Sequence, residues 1–210
     1  MMGHPFYDRC GKNYEQGSPV IPPGGQFPMP ATSDAPLLAF RCAPAIKPYL
    51  ASEAGSPAAM LFDTFVTYAE IAGTAPISLP SDGPLGDVQV TVEIDGRAVA
   101  AGAVPLNASK AELSFSLAGL VPRKATYNVS CSATYGAQTF KAEGSLSFLP
   151  DPTDGRSVVK LDARTGAVLA KPINDQEGEY QTVFPVGFYT GFSDYLATNL
   201  SAVDDAKAKG

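Results

Sequence analysis

The sequence predicts a mainly β protein, and its turn residues and the pattern of its apolar runs are the reason. Glycine (20 residues) and proline (19 residues) are frequent in this chain of 210 residues, and they separate short apolar runs. Several of these runs alternate apolar with polar residues, which is the period of a strand with one buried face. Apolar residues reach 45% while charged residues make up only 17%, so a sizeable core can form.

Four parts follow one another along the chain. Residues 1–36 are rich in proline, glycine and serine, and we expect them to be irregular. Residues 37–150 contain the alternating runs and are predicted to form a β-sandwich domain. Residues 151–181 are predicted to be a linker with a small β-hairpin, and residues 182–210 to be a strand followed by a helix.

The first half of the sandwich is predicted from two strand candidates and one hairpin. The runs 37–43 and 59–71 are the strand candidates, and the loop 44–57 between them holds three prolines. The segment 87–106 is predicted to be a hairpin, in which Val88, Val90, Val92 and Ile94 alternate with polar residues before Asp95-Gly96. That dipeptide favours the tight type I′ turn of a β-hairpin.

The second half is predicted to hold one more strand and a second hairpin. Apolar and polar residues alternate over 112–120, which predicts the strand. Residues 121–150 are predicted to form the hairpin, with its turn at Gly136. Tyr127 shares its face with alternate apolar residues, while Asn128 lies on the opposite, solvent face. About seven short, evenly spaced strands are typical of a sandwich of the immunoglobulin or fibronectin kind.

The C-terminal region changes character. A hairpin is predicted over 156–172, and the run 182–189 is almost continuously apolar, as in a strand buried on both faces. Apolar residues at helical spacing (Leu196, Leu200 and Val203) then predict a helix. Because a single strand–helix unit cannot bury both of its apolar faces, we expect further such units beside it, as in a (β/α)-repeat barrel.

The segment Phe184-Pro185-Val186-Gly187-Phe188-Tyr189 and the helix after it resemble the entry into the catalytic barrel of clan-A-like glycoside hydrolases of a secreted, fungal type. In that family a β-sandwich precedes a (β/α)₈ barrel. The resemblance implies that the chain is an accessory N-terminal region, truncated after the first barrel strand and helix. Its partner would then be the rest of the barrel in the same parent polypeptide. The catalytic carboxylates of the family lie on later strands, so the resemblance implies no catalytic residue here.

Three residues follow or end this first barrel strand and are the candidates for sugar binding: Tyr189, Phe192 and Asp194. Barrel active sites are built at the C-terminal ends of the strands, where aromatic faces can stack on a sugar ring. Packing in a core or between domains is the alternative for the two aromatic residues. For Asp194 the alternative is a helix cap, which we favour.

The cysteines and the single histidine indicate neither a cofactor nor a metal. The chain has no C-x-x-C motif, and His4 is its one histidine, so a zinc site is not expected. Cys42 and Cys131 lie in different strand-like runs, where they form either a disulfide across the sandwich or two buried free thiols. Cys10 lies in the irregular tail.

Three of the five asparagines stand in N-x-S sequons, and they are Asn107, Asn128 and Asn199. These sequons favour a secreted, extracellular glycoprotein. The first nine residues lack the apolar region of a signal peptide, so none is predicted within this chain.

Charge and hydropathy exclude two classes of partner. The net charge is −6 and no basic cluster exceeds Arg123-Lys124, which argues against nucleic acid. The chain contains no run of 18 apolar residues, so no membrane span is predicted. Carbohydrate is the partner that the resemblance implies, and whether the chain is itself an enzyme stays open. The alternative function is a stand-alone secreted immunoglobulin-like binding or adhesion module.

Overall fold

The computed structural model describes residues 29–153, 158–172, 178–184, 197–199 and 201–208, with the side chains of residues 206 and 207 left aside. Within these residues strands predominate, and they are accompanied by one 3₁₀ turn (Ala51–Glu53) and one helix, α1 (Ser201–Ala208). In chain order the strands are β1 (Thr32–Pro44), β2 (Ile46–Lys47), β3 (Tyr49–Leu50), β4 (Pro57–Ala69), β5 (Thr74–Pro76), β6 (Asp87–Ile94), β7 (Arg97–Pro105), β8 (Ala111–Ser116), β9 (Tyr127–Tyr135), β10 (Gln138–Leu146), β11 (Phe148–Leu149), β12 (Lys160–Asp162), β13 (Ala167–Ala170) and β14 (Gln181–Val183).

Two antiparallel four-stranded sheets form the predicted β-sandwich. Their strand orders are β5-β1-β4-β8 and β10-β9-β6-β7. Strands β1, β4 and β8 therefore share one sheet, and β6, β7, β9 and β10 share the other. This is how immunoglobulin-like sandwiches distribute their strands, so the predicted mainly β fold class is confirmed.

Local sequence explains the second of these sheets. Asp95 and Gly96 have φ values of 47° and 78°, which is the left-handed geometry that a type I′ turn between β6 and β7 requires. Strand β9 alternates as predicted, with Tyr127 buried and Asn128 exposed. The turn at Gly136 joins β9 to β10, and Gly136 also has a positive φ of 58°.

The core lies between the two sheets and is almost entirely apolar. Cys42 on β1 and Cys131 on β9 form a disulfide that joins the sheets, with the two Cα atoms 6.5 Å apart. The largest fully buried side chains are Phe62, Phe148, Leu38, Met60, Ile94, Leu117 and Leu146.

A tyrosine corner fixes the chain where it enters β9. The hydroxyl of Tyr127 donates to the carbonyl oxygen of Val121 at 2.5 Å and accepts from the Val121 amide at 3.0 Å. The Arg123 guanidinium lies over the Tyr127 ring, 3.7 Å from its centroid. Immunoglobulin-like domains use a tyrosine hydrogen bond of this kind near the start of the corresponding strand, two residues before a cysteine, whereas Tyr127 precedes Cys131 by four.

Two segments predicted to be irregular contain strands. Strand β1 begins at Thr32 rather than at Leu37, with a register shift between these two residues. The predicted loop 44–57 contains β2, β3 and the 3₁₀ turn. Strand β3 pairs in parallel with β11, and β2 pairs with β12, so both have partners far along the chain.

A smaller sheet with the order β14-β13-β12-β2 lies against the sandwich. The hairpin of β12 and β13 falls within the predicted segment 156–172, and Gly166 in its turn has a φ of 77°. The Ala163 amide donates to the carbonyl oxygen of Ala45 at 2.8 Å. A second apolar cluster packs beneath the hairpin and consists of Ala45, Ala59 and Leu61, with Ala163 against it.

The start of the apolar run 182–189 is not enclosed. Thr182 and Val183 pair with β13 as part of β14, yet Val183 is 40% exposed and Phe184 is 88% exposed. This differs from the expectation of a strand buried on both faces; residues 185–190 lie outside the described part of the chain.

The predicted C-terminal helix is present as α1. Of the three apolar residues that predicted it, Val203 is exposed, while the neighbouring Ala202 is buried. Leu196 and Leu200 lie outside the described residues. None of the described helices is both long and apolar enough to cross a membrane.

Candidate functional site

The three residues predicted to bind sugar lie outside the described residues. Tyr189, Phe192 and Asp194 all fall in the segment 185–196, so their placement stays a prediction. A group of polar side chains that includes the buried charged residue Lys160 lies instead where the small sheet meets the sandwich. We call this group the junction cluster and define it as Ser52, Glu53, Asp151, Lys160 and Tyr180.

Lys160 is the centre of the junction cluster. It lies on β12 with its side chain facing the sandwich, and it is only 2% exposed. Its ammonium group forms an ion pair with Oε2 of Glu53, and the same oxygen accepts from the Leu50 amide at 2.7 Å. A buried charge costs several kcal/mol unless it is paired and hydrogen-bonded, so Glu53 is what makes a lysine tolerable here.

Tyr180 covers this ion pair. The ammonium nitrogen of Lys160 lies 4.2 Å from the centre of the Tyr180 ring, and that of Lys171 lies 5.7 Å from it. Burial raises the pKa of the Tyr180 hydroxyl, and the nearby negative charges of Glu53 and Asp151 add to this effect. The tyrosine ring therefore serves as a neutral cation–π partner.

Asp151 ties the end of the sandwich to the 3₁₀ turn. Its Oδ1 accepts from the Ser52 amide at 3.1 Å and from the Ser52 hydroxyl at 2.7 Å. Three stretches of the chain thus meet at the junction cluster: the 3₁₀ turn, the residues after β11, and the small sheet.

A second polar contact holds the other end of the hairpin. Arg164 donates from Nε to one Glu112 oxygen at 2.9 Å and from its terminal nitrogen to the other at 2.6 Å. Asp162 lies 3.6 Å from the same guanidinium, and the Lys110 ammonium donates to the Arg164 carbonyl at 2.6 Å. The hydrogen bonds from Arg164 lower the pKa of Glu112, and those to Glu112 raise the pKa of Arg164.

Several of the described carboxylates accept hydrogen bonds within the fold. Glu112 is bound to Arg164, and Asp63 accepts from the Lys110 amide at 2.9 Å. Hydrogen bonds from the Asn128 amide and from Arg123 lower the pKa of Asp95. A glycosidase needs a carboxyl group with a raised pKa as its general acid, and the shifts seen here run the other way. Across the described ranges, no group of three or more His, Cys, Asp or Glu side chains could hold a metal ion.

The three sequon asparagines are all exposed, but they lie in different settings. Asn128 is on the outer face of β9. Asn107 has a φ of 62°, and its side-chain oxygen accepts from the Val66 amide at 3.2 Å. The side-chain oxygen of Asn199 accepts from the amide and the hydroxyl of Ser201, at 3.1 Å and 2.7 Å.

An exposed apolar row crosses the outer face of the small sheet. Leu161 on β12 is directly opposite Val168 on β13, which in turn is directly opposite Val183 on β14. Leu161 and Val183 are exposed, as is Phe184 beyond them.

The junction cluster was not predicted from the sequence. Lys160 interrupts an apolar run, and this interruption is the feature of the sequence that could have indicated a buried charged residue. Nothing local indicates Glu53 as its partner, since the two residues are 107 positions apart.

The chain has little similarity to known proteins. No family model matches the chain, and no curated protein matches it. Among solved structures, the crystal structure of the Parabacteroides merdae β-glucuronidase with glycerol in its active site is similar at a TM-score of 0.33 and 17% identity. The alignment covers 58% of this chain and 14% of that one.

Proposed function

We propose that this chain is an accessory, non-catalytic region of a secreted glycoside hydrolase, with a sandwich that braces the barrel following it. The observation that carries the proposal is the exposure of Phe184, the first residue of the FPVGFY segment on which the family resemblance rests. The chain leaves the small sheet with this ring 88% exposed. Burying a phenylalanine side chain is worth about 1.5–3 kcal/mol, so a covering partner such as a barrel would gain stability there.

The described structure suits a bracing role. The sandwich has its own apolar core and a disulfide between its sheets, so it can fold and stay rigid before a neighbour docks. The small sheet is attached by the hairpin, and its last strand leads directly into the FPVGFY segment. Such a fixed connection holds a following domain at a defined distance from the sandwich.

Secretion and glycosylation belong to the same proposal. A disulfide such as Cys42–Cys131 persists in oxidising compartments, which supports an extracellular destination. Exposure of Asn107, Asn128 and Asn199 leaves room for a glycan at each. Secretion from a eukaryotic host should add mass that a glycosidase for N-linked glycans removes, and Asn128→Gln should reduce it.

Two experiments test the proposal. The open reading frame downstream of Gly210 should encode further strand–helix repeats, and its full product should hydrolyse glycosides that the 210-residue chain leaves intact. A stop codon directly after Gly210 would contradict the proposal and favour the stand-alone binding or adhesion module.

The second experiment asks whether Phe184 is covered in that full product. Phe184→Ser should lower the melting temperature of the full product while leaving that of the 210-residue chain nearly unchanged. Phe65→Ser is the matched control, because Phe65 is an exposed phenylalanine on the sandwich itself. Equal effects of Phe184→Ser in both proteins would show that no neighbour covers this ring.

A further inference from the structure

The backbone pairing of strand β14 is too limited to fix its position. It is three residues long, all of its side chains are exposed, and it lies at the edge of the small sheet. Its contacts with β13 pair Val168 with Val183 and Ala170 with Gln181. So short an edge strand gains little from its ladder of hydrogen bonds, and some other contact must fix its position.

Tyr180 supplies that contact. It directly precedes Gln181, is partly buried, and lies over the ammonium group of Lys160. Lys160 is in turn fixed by Glu53, and Glu53 by the Leu50 amide. A continuous series of charge-assisted contacts therefore runs from the Leu50 amide on β3 to Tyr180, the residue directly before β14.

The choice of a charged pair has a geometric consequence. An apolar residue at position 160 could bury itself in several orientations, whereas a buried ammonium group must remain on its carboxylate. The position of the Tyr180 ring is set by that ammonium group, because the attraction requires the cation over the ring face. The path of the chain after Tyr180 is then set as well.

We propose that Glu53, Lys160 and Tyr180 form a latch that fixes the path of Gln181–Phe184, where the chain reaches the edge of the small sheet. That this latch orients a barrel rests on the proposed function, but the latch itself is a property of this chain. Its loss would leave the sandwich folded and free the segment Gln181–Phe184 to move.

Backbone ¹⁵N relaxation of the 210-residue chain tests the latch. In the unmodified chain the amides of Gln181–Val183 should have order parameters of about 0.85, the value of rigid backbone. Tyr180→Leu should lower them below about 0.6, the range of flexible segments, while those of β9 and β12 stay unchanged. Lys160→Met should have the same effect on Gln181–Val183.

Arg164→Met is the matched control. It removes the ion pair with Glu112 from the same hairpin without touching Tyr180, so Gln181–Val183 should stay rigid. Rigid residues 181–183 in Tyr180→Leu would overturn the latch, as would equal loosening in Arg164→Met. If Lys160→Met fails to fold, Tyr180→Leu decides alone. Because the measurement uses this chain only, its result stands whether or not the parent is a hydrolase.

Discussion

The forces that stabilise the sandwich differ from those that attach the small sheet to it. In the sandwich, buried and exposed residues alternate along β6 and β9, and the inward side chains form one apolar core. In β2, β12, β13 and β14, the one described residue that is buried is the charged Lys160. Apolar burial thus builds the first region. The second is attached to it mainly by polar contacts, beside the small apolar cluster of Ala45, Ala59 and Leu61 beneath the hairpin.

The largest expected effect comes from the sandwich core. Phe62 is fully buried and stacks on Phe40, with the ring centres 6.2 Å apart. Phe62→Ala should lower the free energy of unfolding by about 3–5 kcal/mol, as measured by urea denaturation. The matched control Phe184→Ala removes an exposed ring and should change it by less than about 0.5 kcal/mol. Similar losses for the two variants would mean that the two regions do not differ as described.

The next effect concerns the disulfide between the sheets. It spans a sequence separation of 89, so its removal frees a long loop in the unfolded chain. The double variant Cys42→Ala/Cys131→Ala should lose about 2–4 kcal/mol of unfolding free energy. A reducing agent should lower the stability of the unmodified chain by a similar amount and leave the double variant unchanged. A double variant as stable as the oxidised chain would contradict this.

Local patterns explain which parts of the fold the sequence could predict. Alternation in β9 and the Asp95-Gly96 turn act within a few residues, and both were predicted correctly. Strands β2 and β3 were missed because two-residue strands have no readable period and their partners are distant.

The polar junction shows the same limit more strongly. A buried lysine breaks the rule that charges face water, and only its partner explains it. Lys160 pairs with Glu53 across the length of the sandwich sequence, so no local signal joins them. The predicted sugar-binding residues Tyr189, Phe192 and Asp194 remain predictions, since they lie outside the described residues.

A hydrogen bond inside the sandwich is expected to matter less than its core. The Tyr127 hydroxyl is bound to both the carbonyl oxygen and the amide of Val121. Tyr127→Phe leaves the ring in place but removes both bonds, and should cost about 1–3 kcal/mol of unfolding free energy. Tyr68→Phe is the control, because Tyr68 is exposed on β4. A loss for Tyr127→Phe no larger than for Tyr68→Phe would remove the tyrosine corner from the forces that stabilise the sandwich.

The smallest effect belongs to the contact between Arg164 and Glu112, which attaches the hairpin. Because Arg164 lowers the pKa of Glu112 in the folded state, this pair adds stability above the usual glutamate pKa of about 4.3 and loses it as pH falls below that value. Both side chains are more than a third exposed, so solvent limits the gain to about 0.5 kcal/mol.

Glu112→Gln should therefore lower the urea midpoint slightly at pH 7, and the difference from the unmodified chain should disappear as the pH falls through the lowered pKa of Glu112. Glu143→Gln, on the exposed face of β10, removes a carboxylate without touching Arg164 and is the control. A difference between Glu112→Gln and the unmodified chain that does not shrink as the pH falls would assign the stabilisation to packing instead of charge. In that case the small sheet would be attached by the same force that builds the sandwich, and the contrast between the two regions would disappear.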